Sequence, residues 1–168
     1  MRRALHSFAI STALAAVLGS TLLLAGCSRE QAPAVNYTLL DGAKGSSSQW
    51  NGKVMLVNFW ATSCTTCVHE MPQMVATFDK YKTQGLGTVA VAMSYDPPAY
   101  VANFAESRKL PFDVAIDNTG AVAQAFGKVQ MTPTTFLLDK QGRIVKRYVG
   151  EPDFAELHKQ IETLLREG

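Results

Sequence analysis

Val57-Asn58-Phe59-Trp60-Ala61-Thr62-Ser63-Cys64-Thr65-Thr66-Cys67 is the stretch on which the fold turns. It begins inside a run, Val54 to Trp60, that is apolar but for Asn58 and has the length and character of a strand buried on both faces. Beyond it, Met71, Met74, Val75 and Phe78 recur at i, i+3, i+4 and i+7, the stripe of an amphipathic helix. The two cysteines therefore fall where a strand ends and a helix begins. Cysteines at i and i+3 across a helix N-terminus bring their sulfurs within bonding reach, with the first exposed at the tip. Unpaired N–H groups and the helix macrodipole favour negative charge there. The Cys64 thiol is accordingly expected to ionise below the ~8.5 of a free cysteine. A thiolate so placed attacks a disulfide, and Cys67 resolves the mixed disulfide that forms.

Outward from this segment the chain alternates strand-like and helix-like patterns. Leu86 to Met93 reads as a second buried strand, Pro97 to Lys109 as a helix with Tyr100, Val101 and Phe104 inward, Phe112 to Ile116 as a short strand, and Ala121 to Phe126 as a short helix. Thr134 to Leu138 and Ile144 to Val149 are strands joined by a loop containing Gly142, a hairpin. A last helix is predicted from the N-cap Asp153, with Phe154, Leu157, Ile161, Leu164 and Leu165 on its apolar side. The Gly-Ser-Ser-Ser stretch at 45–48 reads as a loop. The sum is an α/β fold with a mixed β-sheet flanked by helices on both faces.

The 168 residues, 47% of them hydrophobic and 18% charged, suit one globular domain after a targeting segment. Residues 1–26 read as a lipoprotein signal peptide: Arg2 and Arg3 lead, and Phe8 to Gly26 carries no charge. Leu23-Leu24-Ala25-Gly26-Cys27 resembles a bacterial lipobox, with Cys27 as the lipid attachment point. An uncleaved membrane span is the competing reading, since roughly 20 apolar residues suffice. Both put the domain outside the cytoplasm. Residues 27–36 are then a lipid-anchored tether and 37–168 the domain. Apart from Arg2 and Arg3 the charges balance, so no nucleic-acid partner is expected. With Cys27 assigned to lipid, Cys64 and Cys67 are the only remaining cysteines. A bridge between them closes too small a loop to stabilise the fold much.

Other readings of the pair are weaker. Zinc wants four ligands, and His69 and His158 are poor substitutes for a second cysteine pair, so no metal is expected. A peroxiredoxin, the serious rival, carries a Pro seven residues and a Thr or Ser three residues before its cysteine, where this chain has Val57 and Ala61. A peroxide reductase and a non-catalytic binding module with a vestigial dithiol both stay open.

The segment 57–67 resembles the active-site segment of thioredoxin-fold proteins, specifically the TlpA/ResA-like extracytoplasmic branch. Met131-Thr132-Pro133-Thr134-Thr135-Phe136-Leu137-Leu138-Asp139 resembles that branch's cis-proline segment, and Glu70 and Pro72 fit its helix. The likeness covers roughly residues 35–165. It implies a thioredoxin-like fold without cofactor, and Cys64 and Cys67 as a redox disulfide. It also implies a cis bond at Pro133 that sets Thr132 beside Cys64 to pair with substrate. Glu70 reads either as an exposed first-turn acid that suits the helix dipole or, as the resemblance implies, as proton acceptor for Cys67, since Asn58, where thioredoxins usually have Asp, cannot titrate. Pro72 is expected to be structural, and Trp60 either to lie in the core or, the favoured reading, to shield the dithiol and meet substrate. The resemblance further implies a monomeric disulfide reductase on the periplasmic side of a bacterial membrane. It would act on disulfides or dithiols of exported proteins, with cytochrome c maturation as one setting and a membrane protein as electron donor. Ser63 and Thr65-Thr66 depart from the branch's usual residues, which leaves substrate docking and the direction of electron flow open.

Overall fold

A computed structural model describes residues 29–167. The expectations for residues 1–26 and for Cys27 lie outside the described residues. In chain order the elements are β1 Asn36–Leu39, β2 Lys44–Ser46, β3 Val54–Trp60, α1 Thr65–Tyr81, β4 Leu86–Ala92, α2 Pro98–Ser107, β5 Asp113–Ile116, α3 Ala121–Ala125, β6 Thr134–Leu138, β7 Ile144–Val149 and α4 Phe154–Arg166. The strands form one mixed sheet in the order β2-β1-β5-β4-β3-β6-β7. Strands β3, β4 and β5 run parallel, while β6 lies antiparallel to β3, with Phe59 opposite Thr134 and Met55 opposite Leu138.

Alternation along β3 sorts its side chains between two cores. Val54, Leu56 and Trp60 face the layer of α1, α2 and α4, where Met71, Met74, Val101, Leu157 and Ile161 pack. Met55, Val57 and Phe59 face the other side, against α3 and the 3-10 turn Ser47–Trp50. Every residue of β3 is buried, as a run apolar at all positions but Asn58 predicts. Helix α4 starts where expected, with the Asp153 carboxylate accepting from the N–H groups of Ala155 and Glu156. Pro72 stands inside α1 on its exposed side, where it removes the donor for the Val68 carbonyl.

Three features differ from the sequence reading. Strands β1 and β2 form within a stretch that shows no strand periodicity. They are only four and three residues long, and pairing with β5 and with each other holds them. Tyr100 points outward: α2 buries Val101 and half-buries Phe104, and the side chain one position before Val101 lies about 100° off that stripe. Finally, residues 29–36 do not hang free. The Ile144 N–H donates to the Glu30 carbonyl, the Ala32 N–H to the Gly142 carbonyl, and Val35 is buried. Arg29 bonds the buried Asp139 carboxylate at 3.3 Å. This strap lies along the β6–β7 hairpin loop, beside the start of β3 and hence at the pole opposite Cys64.

Candidate active site

The dithiol sits where the strand hands over to the helix. Cys64 is the N-cap of α1, half-buried, and its sulfur accepts the Cys67 N–H at 3.1 Å. That bond uses one of the orphan donors of the first helical turn and aims partial positive charge at the sulfur. Cys67 has no exposed surface. The two sulfurs are joined in a disulfide, with Cα atoms 5.2 Å apart. Exposure is thus divided as attack and resolution require: the first sulfur can be reached from outside and the second only from the first. Ser63, Thr65 and Thr66 are exposed around them, a small polar rim rather than a bulky one.

One turn along α1, Glu70 is fully buried. It is no solvated first-turn acid. Its Oε1 accepts from Asn58 Nδ2 at 2.9 Å, and the same amide nitrogen donates to Thr135 Oγ1 at 2.9 Å. Glu70 Oε2 has no hydrogen-bond partner among the described residues. Burial pushes the carboxyl up to about 7; the Asn58 bond pulls it down, and the charge of Glu151 adds to the rise. Helical spacing puts Glu70 on the same face as Cys67, three residues before it. A buried acid that ionises near neutrality, with one oxygen unengaged, can exchange a proton with its neighbour.

The cis-proline segment faces the same pole. The Thr132–Pro133 peptide bond is cis, and the Pro133 carbonyl accepts the Gly150 N–H at 2.8 Å. Pro133 is buried and Thr132 half-exposed, with Met131 largely exposed before it. Trp60 does not fit the expectation of substrate contact. Its side chain has no exposed surface and packs on Phe104, ring centroids 5.1 Å apart. It lies in the core shared with Cys67, because Trp60 ends β3 on the inward side under α1 and α2.

Two groups at this pole escaped the sequence reading. Asp96, buried in the β4–α2 connection, bonds Thr62 twice. Glu151, after β7, holds His69 of α1 at 3.0 Å, so His69 is exposed yet paired. Neither lies in a motif, and only the tertiary fold brings them near the dithiol.

The fold and this dithiol define a thiol-disulfide oxidoreductase of the thioredoxin-like class. Comparison with known proteins gives the family: the Redoxin family pattern matches residues 28–161, and the chain belongs to that family. It is 32% identical over 169 residues to the thiol-disulfide oxidoreductase ResA of Bacillus cereus, covering 96% of each protein. The ResA of Bacillus anthracis is 35% identical over 137 residues, 82% of this chain and 76% of that one. Among solved structures, one from Neisseria meningitidis described as a thioredoxin shares 42% identity at a TM-score of 0.77, over 84% of this chain and 93% of that one. A thiol:disulfide interchange protein DsbE from Chlorobium tepidum shares 29% at 0.75, over 82% and 96%.

Proposed function

We propose that this oxidoreductase is a disulfide reductase of exported proteins, held to the outer side of a bacterial membrane through a lipid on Cys27. The observation that carries the catalytic part is the division of exposure across the helix start: a reachable Cys64 and a buried Cys67 beside a buried Glu70. In the reduced enzyme the Cys64 thiolate attacks one sulfur of a substrate disulfide. A bond forms between Cys64 and that sulfur, the substrate S–S bond breaks, and the second substrate sulfur leaves as a thiolate. Glu70 takes the Cys67 proton. The Cys67 thiolate then attacks the Cys64 sulfur, releases the first substrate sulfur and closes the disulfide seen between Cys64 and Cys67. Two electrons pass from enzyme to substrate, and a membrane dithiol partner returns them. Thr132, before the cis Pro133, offers its backbone to the substrate strand during the attack.

The extracytoplasmic setting and the lipid rest on residues 1–27, with two arginines, a long uncharged run and Leu-Ala-Gly before Cys27. The resemblance to the TlpA/ResA-like branch adds cytochrome c maturation as one use. Trapping tests the mechanism. The Cys67→Ser protein, expressed in the intact chain, should accumulate mixed disulfides on Cys64 with exported proteins, identifiable by mass. The unmodified protein should reduce insulin when supplied with a reductant. Absence of both would leave a binding module with an inert disulfide.

A further inference from the structure

Three buried aspartates sit in the loops, and two serve their own turns. The Asp117 carboxylate accepts the N–H groups of Val122 and Ala123 at the start of α3. Asp139 accepts from Gln141 and Arg143 in the hairpin loop that follows it, and from Arg29 of the strap, at the pole away from the dithiol. Asp96 is different. It is 3% exposed, and both its oxygens reach 34 residues back along the chain to one residue. Oδ2 accepts the Thr62 backbone N–H at 2.6 Å, and Oδ1 accepts the Thr62 hydroxyl at 2.6 Å. Thr62 is two residues before Cys64, in the short connection that sets where α1 begins.

The anchoring of Asp96 is itself rigid. Its N–H donates to the Met93 carbonyl at 2.9 Å, and the Met93 N–H donates to the Trp60 carbonyl at 3.0 Å. The carboxylate is therefore fixed to the ends of β3 and β4, the two central strands. The next bond in the connection, Cys64 N–H to the Ala61 carbonyl at 3.1 Å, closes a turn around Thr62. Without Asp96 the Thr62 N–H and hydroxyl would be half-buried donors with no fixed acceptor. The turn would lose its tie to the sheet. The residue before Asp96 reaches the other side of the site: the Tyr95 hydroxyl lies 3.3 Å from Thr132 Oγ1, next to the cis proline.

We propose that Asp96 is a positioning residue for the dithiol: through Thr62 it fixes the turn that holds Cys64 at the helix N-cap. The inference rests on the thiol-exchange reading for its assay but concerns the loop geometry alone. A carboxylate suits the task because it offers one acceptor to each Thr62 donor. Hydrogen bonds to a charged acceptor are also the stronger kind.

Thr62→Val tests this without altering charge, since it removes only the hydroxyl donor. In the Cys67→Ser background, so that Cys64 is the sole thiol of the domain, iodoacetamide alkylation is followed against pH. Thr62→Val should move the alkylation midpoint toward the ~8.5 of free cysteine. In the parent dithiol protein it should slow insulin reduction about tenfold, a loss of the size that small misplacement of a reacting group produces. Thr62→Ser, which keeps both donors, should restore both readouts. Asp96→Ala, which also removes the acceptor of the Thr62 N–H, should slow reduction at least as much, and its effect should be smaller when Thr62 is already Val. A structural role alone would lower thermal stability while leaving the alkylation midpoint in place. The proposal is overturned if Thr62→Val leaves midpoint and rate within twofold of the parent, or if Thr62→Ser behaves like Thr62→Val. Fully additive effects of Thr62→Val and Asp96→Ala would overturn it as well.

Discussion

Replacing Glu70 by Gln should make the protein both slower and, above neutral pH, more stable. In the folded chain this carboxyl has moved from its ordinary 4.5 to about 7, mainly because it has no access to water. The folded state thus holds the proton more tightly than the unfolded chain does. Glu70 contributes its full stability below about 4.5 and loses that contribution as pH rises through 7. The distance from 4.5 to about 7, at ~1.36 kcal/mol per pH unit, is on the order of 3 kcal/mol. Gln keeps an oxygen to accept from Asn58 Nδ2 and never ionises. At pH 5 the two oxidised proteins should therefore have similar stability. At pH 8.5 the variant should be more stable by on the order of 3 kcal/mol, roughly 10 °C in Tm for a domain of this size. Denaturant titration at several pH values, with the disulfide intact, measures the difference directly. Insulin reduction should slow in the same variant around neutral pH, because Cys67 has lost its proton acceptor. Stability curves for the two proteins that stay parallel from pH 5 to 8.5 would refute the reasoning, as would an unchanged pH–rate profile.

Removing the charge of Glu151 favours ionisation of Glu70, so Glu151→Gln should shift the acid limb of the reduction profile to lower pH; an inflection that does not move would exclude that coupling. Asp139 is held below the usual carboxylate range: burial alone would raise it, but the Arg143 backbone and guanidinium more than offset that. Its contribution is therefore present at neutral pH and lost on acidification below about 3.8. Asp139→Ala should cost about 2–3 kcal/mol at pH 7, read by urea unfolding, and should make residues 29–35 easier to cleave in limited proteolysis. Gly45→Ala should destabilise by about 1–3 kcal/mol. A Cβ there would clash with the Tyr37 ring, which stacks on Trp50 and whose hydroxyl accepts the Trp50 Nε1–H at 3.1 Å, so that it cannot swing aside. A thermal melt checks it.

The parts of this molecule that were legible in its sequence are those whose causes are local. Strand β3 is a run apolar but for Asn58, α1 carries a regular stripe, and β6 and β7 flank a glycine turn; each appears close to its expected bounds. The dithiol at a strand–helix junction was readable for the same reason. Glu70 needed more, since it is buried and its partner Asn58, itself bonded to Thr135, lies on β3, although helical spacing already placed it near Cys67. Strands β1 and β2 were not legible, because seven residues with a glycine show no period and owe their form to β5. Nor were Asp96 and Glu151, whose roles are set by residues 34 and 82 positions away. For Trp60 the core and dithiol-shielding readings could not be separated, because chain position shows that it ends the strand but not that Phe104 covers it.

If Cys27 carries the proposed lipid, the docked segment after Arg29 decides which way the enzyme looks. With Arg29 fastened at the hairpin end of the sheet, a fatty-acylated Cys27 two residues upstream would leave the body from that end, on a leash of at most ~7 Å. Strand β3 alone separates the two ends by about 20 Å. The sulfurs would then face open solvent like a lamp on a short post, turned away from the bilayer. Soluble clients could approach freely, whereas any electron-supplying membrane protein would have to rise at least that far to hand over its reducing equivalents.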